Sequence, residues 1–233
     1  MSGIEAAKAF INKLFPNCMA AILAGSVARG EERPNSDLDI IIIEDNDIEP
    51  YRKSYREYGW FIEVFVGSKT YYKSKVEHPN KKSSPSSLTA LAEGIVIKDS
   101  LSFADKIKDG AINILNEGPD PLTEEDKKIY RYIITDWLDD FTDAKEYEES
   151  IFIAYDLFSK AAELLLANSQ KWIGERKWLY RSLTKLNNKL SKDLIDGLVI
   201  FYKSGNKDEM QKAIISILDL VGGKLYEGFS RRG

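Results

Sequence analysis

Short apolar runs separated by turn residues dominate the first hundred residues of the chain. Four of these runs are rich in Ile, Val or Ala and are bounded by Gly, Pro, Asn or Asp, which is typical of β-strands. Helical patterns lie before and between them, so we expect an α/β or α+β sheet domain. The predicted strands are 20–24, 38–43, 61–66 and 95–97, and the predicted helices are 4–14, 50–58, 69–76 and 103–115.

The pattern changes at residues 118–123, where a glycine and two prolines end the preceding helix. Thr123, followed by three acidic residues, begins a new helix there. From that point the apolar residues recur at helical spacing. We therefore expect a sheet domain at 1–118 and a helical bundle at 119–233. The predicted helices of the bundle are 123–143, 147–166, 177–186, 191–202 and 207–226.

Composition narrows the classes of function. With 33 Lys and Arg against 37 Asp and Glu, the net charge of −4 argues against a chain whose main task is to grip duplex nucleic acid. The single cysteine, Cys18, excludes an internal disulfide and a cysteine-rich zinc site, and the single histidine, His78, excludes a histidine pair. No apolar run approaches the roughly 20 residues that span a membrane. The N-terminus lacks the pattern of a signal peptide, so we expect a cytoplasmic protein.

The chemistry of the sequence is concentrated in residues 24–43, AGSVARGEERPNSDLDIIII. Asp37 and Asp39 open a strongly apolar strand. Because side chains alternate along a strand, both carboxylates point to one face. Like charges so close together raise each other's pKa unless a cation compensates. Carboxylate and phosphate oxygens are the ligands that Mg²⁺ takes, so a divalent cation is the expected compensation.

A third acid, Glu63, lies inside the apolar run 61–66. An ionised carboxylate in such a run is expensive to bury without a partner. If this strand neighbours the strand that Asp37 and Asp39 open, Glu63 completes a cluster of three carboxylates that can hold two metal ions.

Gly25 and Ser26 form a candidate phosphate-binding segment. A glycine at a strand end followed by a small hydroxyl residue lets backbone N–H groups and the Ser26 Oγ approach phosphate oxygens. Arg29 continues this segment, and a guanidinium can hold a triphosphate in a bidentate manner. A surface arginine is the alternative interpretation of Arg29.

The order Gly25-Ser26, nine residues, then Ser36-Asp37-Leu38-Asp39, with a later acid inside a strand, resembles the nucleotidyltransferase superfamily typified by DNA polymerase beta. Together with the helical second half, the chain is most similar to the aminoglycoside and lincosamide nucleotidyltransferases and their relatives. The resemblance implies an α+β fold, with an N-terminal mixed sheet and flanking helices before a C-terminal helical bundle that binds substrate. It also implies transfer of a nucleoside monophosphate from ATP or another NTP, with Mg²⁺ and release of pyrophosphate.

The same resemblance assigns roles and partners. The expected partners are the nucleotide and a small-molecule acceptor with a free hydroxyl, and neither a membrane nor duplex nucleic acid. Some resistance enzymes of this family are dimers, so a homodimer is compatible with it. The implied metal ligands and catalytic acids are Asp37, Asp39 and Glu63, and the implied nucleotide contacts are Gly25, Ser26, Arg29 and Ser36.

The first helix of the predicted bundle is strongly acidic. Residues 135–149 contain seven acids and one lysine, a local charge of −6. This charge suits a cationic acceptor such as an aminosugar, with Asp136 or Asp140 as general base for the attacking hydroxyl. A solvated helix face is the alternative interpretation.

Lys177 and Arg181 lie four residues apart beside Trp172 and Trp178, so the two cations can share a helix face. They are candidates for holding the ATP phosphates or base. The alternative is a pair of core tryptophans with cations around them.

Other functions use the same predicted fold. An antitoxin-like or regulatory module would keep the fold and act by binding a protein partner, and a third hypothesis is adenylylation of a protein target. Incorporation of AMP into an acceptor separates an enzyme from a binding module. The polar segment that contains Lys81 and Lys82 is either a loop over the cleft or a plain solvated loop.

Overall fold

The chain divides into two compact units in the computed structural model, which describes residues 1–81 and 85–230. The first unit consists of residues 1–81 and 85–117, and the second extends from Gly118. Lys82, part of the polar segment noted above, lies outside the described residues. No helix within the described ranges is long and apolar enough to cross a membrane.

A mixed β-sheet forms the centre of the first unit. Its strands are β1 (Ala20–Ala24), β2 (Leu38–Glu44), β3 (Tyr51–Glu57), β4 (Trp60–Ser68) and β5 (Ile95–Asp99). Their order across the sheet is β3-β4-β2-β1-β5. The β2–β4 pair is parallel and the other pairs are antiparallel. The predicted strands are confirmed, and β3 is an addition at one edge.

The helices of the first unit flank this sheet. They are α1 (Gly3–Leu14), α2 (Gly25–Ala28), α3 (Lys69–Glu77), α4 (Ser86–Glu93) and α5 (Phe103–Glu117). A capping box begins α1: the Ser2 hydroxyl accepts from the Glu5 N–H at 3.3 Å, and the Glu5 carboxylate accepts from the Ser2 N–H at 2.9 Å. The sequence pattern did not predict α4, because its serine-rich start resembles a loop.

One face of the sheet is apolar and packs against α1, where Phe10 is fully buried. Burying an aliphatic or aromatic side chain of this size contributes about 1.5–3 kcal/mol, so this face holds the unit together. Side chains alternate along each strand, and the opposite face therefore carries Asp39 and Glu63. The buried members of the apolar face on β2 and β4 are Leu38, Ile40, Ile42, Ile62, Val64 and Val66.

The prediction of a helix at residues 50–58 is wrong, because this segment is the edge strand β3. Most of its side chains are exposed, so the sequence YRKSYRE shows no apolar alternation that would indicate a strand. Tyr58 and Gly59, with φ of 54° and 82°, form the two-residue turn into β4. Positive φ at both positions matches the right-handed twist of a hairpin, and pairing with β4 then fixes the strand.

The second unit is helical. Its helices are α6 (Glu124–Asp143), α7 (Tyr147–Asn168), α8 (Lys177–Leu186), α9 (Lys189–Ser204) and α10 (Asp208–Asp219). Thr123 begins α6 with a capping box to Asp126, as the sequence predicts. The expected α+β fold, with a mixed sheet and flanking helices before a helical C-terminal part, is confirmed.

The last predicted helix is too long. We expected it to reach residue 226, but α10 ends at Asp219. Gly222 and Gly223 follow with φ of 105° and 75°, a conformation that continues no right-handed helix. Residues 222–229, which we call the C-terminal segment, turn back along α6 instead, as described below.

Candidate active site

The register of the sheet brings two acids side by side. Asp39 of β2 pairs with Glu63 of the parallel strand β4, and Ala24 at the end of β1 pairs with Asp39 from the other side. The expected adjacency of the two acidic strands is therefore present. Asp37 immediately precedes β2 and is exposed, whereas Asp39 and Glu63 are half-buried.

Gly25 is in close contact with Asp39. Its φ of 78° lies in the left-handed region that glycine adopts without strain. A Cβ built on Gly25 would overlap the Asp39 Oδ2 and lie 3.2 Å from the Asp39 Cγ. Only glycine lets the backbone pass this close to the carboxylate, and the short helix α2 starts at this point.

A pair of hydroxyls ties the Gly25 segment to the segment that leads into β2. The Ser26 Oγ donates to the Ser36 Oγ at 2.9 Å, and the Ser36 Oγ also accepts from the backbone N–H of Arg33 at 2.9 Å. The Glu31 N–H closes the loop by donating to the Ser26 carbonyl at 2.9 Å. These bonds hold Ser36, the residue before Asp37, in place, and any contact of Ser36 with nucleotide stays a prediction.

The electrostatics of the site centre on Asp39. Burial, together with the nearby negative charges of Asp37 and Glu63, raises the pKa of the Asp39 carboxyl to about 6. The guanidinium groups of Arg52 and Arg29 act in the opposite direction without cancelling the rise. Burial is thus the largest cause of the rise, and the two neighbouring acids add to it.

Arg29, expected to bind the triphosphate, is engaged by acids in this structure. Its guanidinium donates to Glu31 at 3.2 Å and to Glu93 of α4 at 3.3 Å, and its side chain is only 19% exposed. A contact with phosphate would have to replace or share these partners.

Glu63 also has a cationic partner, one that the sequence pattern did not reveal. Arg52 of β3 donates to the Glu63 Oε2, and the Ser54 hydroxyl donates to the Oε1 at 3.5 Å. The pattern missed Arg52 because it assigned residues 50–58 to a helix. The Tyr58-Gly59 pair before an apolar run was the available signal for a hairpin.

The acids fit a divalent cation only in part. In the portion of the chain that the structure describes, the side chains form no group of three or more His, Cys, Asp or Glu residues that could hold a metal ion. Asp37 and Asp39 supply hard oxygen ligands, and the charges of Arg52 and Arg29 offset only part of the rise in the pKa of Asp39. Glu63 could join them only after releasing Arg52.

The acidic residues expected to meet the acceptor lie on α6 of the second unit. Asp136 and Asp140 are both exposed, while Ile134 and Leu138 on the same helix are buried in the core. The helix α6 is therefore amphipathic, with its apolar side in the core. The roles of Asp136 and Asp140 toward an acceptor stay predictions.

The C-terminal segment occupies another stripe of α6. Arg131 donates to the Gly222 and Gly223 carbonyls, both at 2.7 Å, and the Thr135 Oγ accepts from the Leu225 N–H at 3.1 Å. One turn further along, the Asp139 carboxylate accepts from the Lys224 ammonium at 3.2 Å and the Tyr226 hydroxyl at 3.3 Å. Phe229 stacks on the Tyr132 ring at 4.0 Å. The acidic face is thus partly neutralised by the chain itself.

Lys177 and Arg181 share a helix face on α8, as their spacing predicts. The Lys177 Nζ lies 5.9 Å and the Arg181 Cζ 4.6 Å from the centre of the Trp178 ring. Both cations are therefore placed by an aromatic side chain of their own helix. Their proposed contact with nucleotide stays a prediction.

The first unit, with its mixed sheet and acidic site, is similar to a known domain family. Residues 4–113, a little under half of the chain, match the family described as Nucleotidyltransferase domain. Among solved structures, a nucleotidyltransferase-like protein from Exiguobacterium sibiricum 255-15 shares 11% identity with this chain. That alignment has a TM-score of 0.48 and covers 94% of this chain and 74% of the other. No curated protein matches the sequence.

Proposed function

We propose that the protein is a Mg²⁺-dependent nucleotidyltransferase that transfers a nucleoside monophosphate, AMP from ATP in the simplest case, to a hydroxyl of a small molecule. The observation that carries this proposal is the pairing of Asp39 with Glu63 across β2 and β4, directly beside the close approach of Gly25. The match of residues 4–113 to a nucleotidyltransferase domain supports the same reaction class.

The reaction forms a bond between the acceptor oxygen and the α-phosphorus and breaks the bond from that phosphorus to pyrophosphate. Asp37 and Asp39 would hold the divalent cation, with Glu63 as a further ligand. When bound, such a cation offsets phosphate charge and stabilises the attacking and leaving oxygens. The missing Cβ of Gly25 lets the Asp39 carboxylate lie directly against the backbone at the start of α2, where the phosphates would bind.

The acceptor hydroxyl must lose a proton as it attacks. In this proposal Asp136 or Asp140 of α6 accepts that proton, since both are exposed carboxylates on the acidic helix. The local charge of −6 over residues 135–149 favours a cationic acceptor of the aminosugar kind. Lys177 and Arg181 would contribute positive charge toward the nucleotide.

Calorimetric titration of Mg²⁺ with each NTP tests the nucleotide site. We expect wild-type protein to bind one NTP only in the presence of the metal, and Asp37→Asn/Asp39→Asn to lose that binding. Asp47→Asn, an exposed acid beyond the end of β2, serves as the matched control and should bind as wild type does. Equal binding by the Asp37/Asp39 variant would refute the assignment.

Transfer itself is measured with NTP labelled at the α-phosphate and a panel of acceptors that begins with aminoglycosides and lincosamides. Label on a small molecule supports the proposal, whereas label on a protein indicates adenylylation of a protein target. Binding of nucleotide with no transfer to either class would favour the antitoxin-like or regulatory module.

A further inference from the structure

Arg52 lies where strand pairing directs it toward the acids. It pairs with Phe65 across the β3–β4 hairpin, and Glu63 is two residues from Phe65 on the same face. Diagonal neighbours of this kind are within reach of a long side chain. The Arg52 guanidinium donates to the Glu63 carboxylate, and its Cζ lies 5.3 Å from the centre of the Phe65 ring.

Both oxygens of the Glu63 carboxylate have a donor on β3. Arg52 holds the Oε2, and Ser54, the direct cross-strand partner of Glu63, donates to the Oε1 at 3.5 Å. The oxygens that would have to face a metal ion are therefore the ones that β3 occupies. The hydrogen bond from the uncharged Ser54 hydroxyl is long. The charged Arg52 guanidinium is therefore the stronger competitor of a metal ion for Glu63.

The charge of Arg52 is coupled to the whole acid cluster. Glu63, Asp39 and Asp37 all raise the pKa of the Arg52 guanidinium, and Arg52 in turn lowers the pKa of Asp39. The Arg52 side chain is 65% exposed, whereas Glu63 is 17% exposed. Once released, the Arg52 guanidinium can therefore be hydrated in solvent, but Glu63 cannot leave the site.

We propose that Arg52 is a resident counter-ion of the acid cluster and that a divalent cation displaces it from Glu63 when the site is loaded. This inference rests on the proposed function, because it needs the metal site at Asp37 and Asp39. Arg52 holds the Glu63 carboxylate in place before loading, and it weakens metal binding because its release costs an ion pair.

Binding of Mn²⁺, followed by the electron paramagnetic resonance of the free ion, tests the displacement directly. Arg52→Ala should bind Mn²⁺ more tightly than wild type by about fivefold or more, because no cation competes for Glu63. The matched control is Arg56→Ala. It removes a cation from the same face of β3, where Arg56 stacks on Phe61 at 4.8 Å and forms no ion pair with an acid among the described residues. Its affinity should stay within about twofold of wild type.

A second arm uses metal-free protein in EDTA. Arg52→Ala should lower the melting temperature, because the acids lose a neutralising charge, and adding Glu63→Gln should restore most of it. If the effects of Arg52→Ala and Glu63→Gln on the melting temperature simply add, the two residues are not coupled and the counter-ion role is overturned. Arg56→Ala combined with Glu63→Gln should be additive.

The outcomes separate this inference from the proposed function. If wild type binds Mn²⁺, Asp37→Asn/Asp39→Asn does not, and Arg52→Ala binds no tighter than wild type, only the counter-ion inference fails. An equal gain in Mn²⁺ affinity in Arg56→Ala overturns the inference as well, because the gain would then follow from removing any positive charge on this face of β3. If neither wild type nor Arg52→Ala binds Mn²⁺, the metal site of the proposed function fails and the displacement fails with it.

Discussion

Asp39 in β2 and Gly197 in α9 each interrupt an apolar pattern, for opposite reasons. Asp39 puts a carboxylate into a strand of buried aliphatic side chains, and its raised pKa shows that the fold disfavours its charge. Gly197 removes a side chain, so the backbone of α10 comes close. A Cβ there would lie 2.7 Å from the Met210 Cα and N. An interruption that destabilises the fold points to chemistry, whereas one that tightens packing points to architecture.

The acids of α6 fit neither case. Asp136 and Asp140 are exposed on an amphipathic helix, so their charges cost the fold almost nothing. Without that cost the structure offers no physical reason to separate a catalytic carboxylate from a solvated one. This contrast explains why Asp39 is better supported as a site residue than the acids of the second unit.

The largest expected loss of stability is at the α9–α10 contact. Gly197→Ala should lower the free energy of unfolding of its unit by about 3 kcal/mol, because the new methyl meets backbone atoms that cannot move aside. The control is Asp196→Ala, which changes an exposed neighbour on α9. Its free energy of unfolding should stay within about 0.5 kcal/mol of wild type. Urea unfolding followed by circular dichroism measures both. A stabilised Gly197→Ala variant would show that helix propensity outweighs this contact.

The cost of Asp39 should appear as a pH dependence in metal-free protein. Its pKa rises from 3.8 to about 6 on folding, so folded protein binds the proton more tightly than unfolded protein. The penalty is absent below about pH 4, grows between these two pKa values and is complete above about pH 6, where it reaches at most about 3 kcal/mol. Asp39→Asn should therefore gain stability over wild type as the pH rises. A difference that is the same at pH 4 and pH 7 would contradict this account.

Gly25 and Gly30 both have positive φ, so comparing their alanine variants separates the cost of backbone strain from the cost of crowding by a new Cβ. Gly25→Ala combines positive φ with overlap on Asp39 and should cost about 2–3 kcal/mol. Gly30 has a φ of 68°, and among the described residues no atom beyond its chain neighbours lies within 4 Å of a Cβ built there. Strain alone should therefore make Gly30→Ala cost about 1–2 kcal/mol. Thermal unfolding compares them. In an Asp39→Ala background the excess cost of Gly25→Ala should disappear, and an unchanged excess would show that Asp39 is not the obstacle.

The sequence predicts most of the first unit because its signals are local. The isoleucines of β2 indicate a strand. The acids at its start, and Gly25-Ser26 before it, indicate the candidate site. The β3 strand could not be predicted in the same way, since its strand form comes from pairing with β4 and not from its own exposed residues. Because of that one error, Arg52 was not predicted as the partner of Glu63. Residue spacing predicts which acids share a face, but only the register reveals which cations face them.

The C-terminal segment shows the same limit in the second unit, where side chains and backbone far apart in sequence meet on α6. Gly222 and Gly223 mark where α10 cannot continue, but nothing local indicates that Arg131 will bind their carbonyls. The segment therefore appears in the sequence as a helix end and in the structure as a partner of the acidic helix.

Arg131→Ala should have only a modest effect on global stability. The loss should be about 1–2 kcal/mol, because the change removes hydrogen bonds near the surface. Its effect on the C-terminal segment itself should be larger. Without Arg131 the C-terminal segment loses the donor to three consecutive carbonyls, of Gly222, Gly223 and Lys224. Trypsin should then cleave after Lys224 faster than in wild type.

Lys128→Ala removes an exposed cation and a tryptic site from the same helix and leaves the segment untouched, so its cleavage after Lys224 should match wild type. Mass spectrometry of the released C-terminal peptide gives the rate. Equal rates in all three proteins would mean that Thr135 and Asp139 hold the segment without Arg131. In that case the acidic face of α6, and not its cation, anchors the chain. Asp139 would then be a structural acid, in contrast to the exposed Asp136 and Asp140 that the proposed reaction uses.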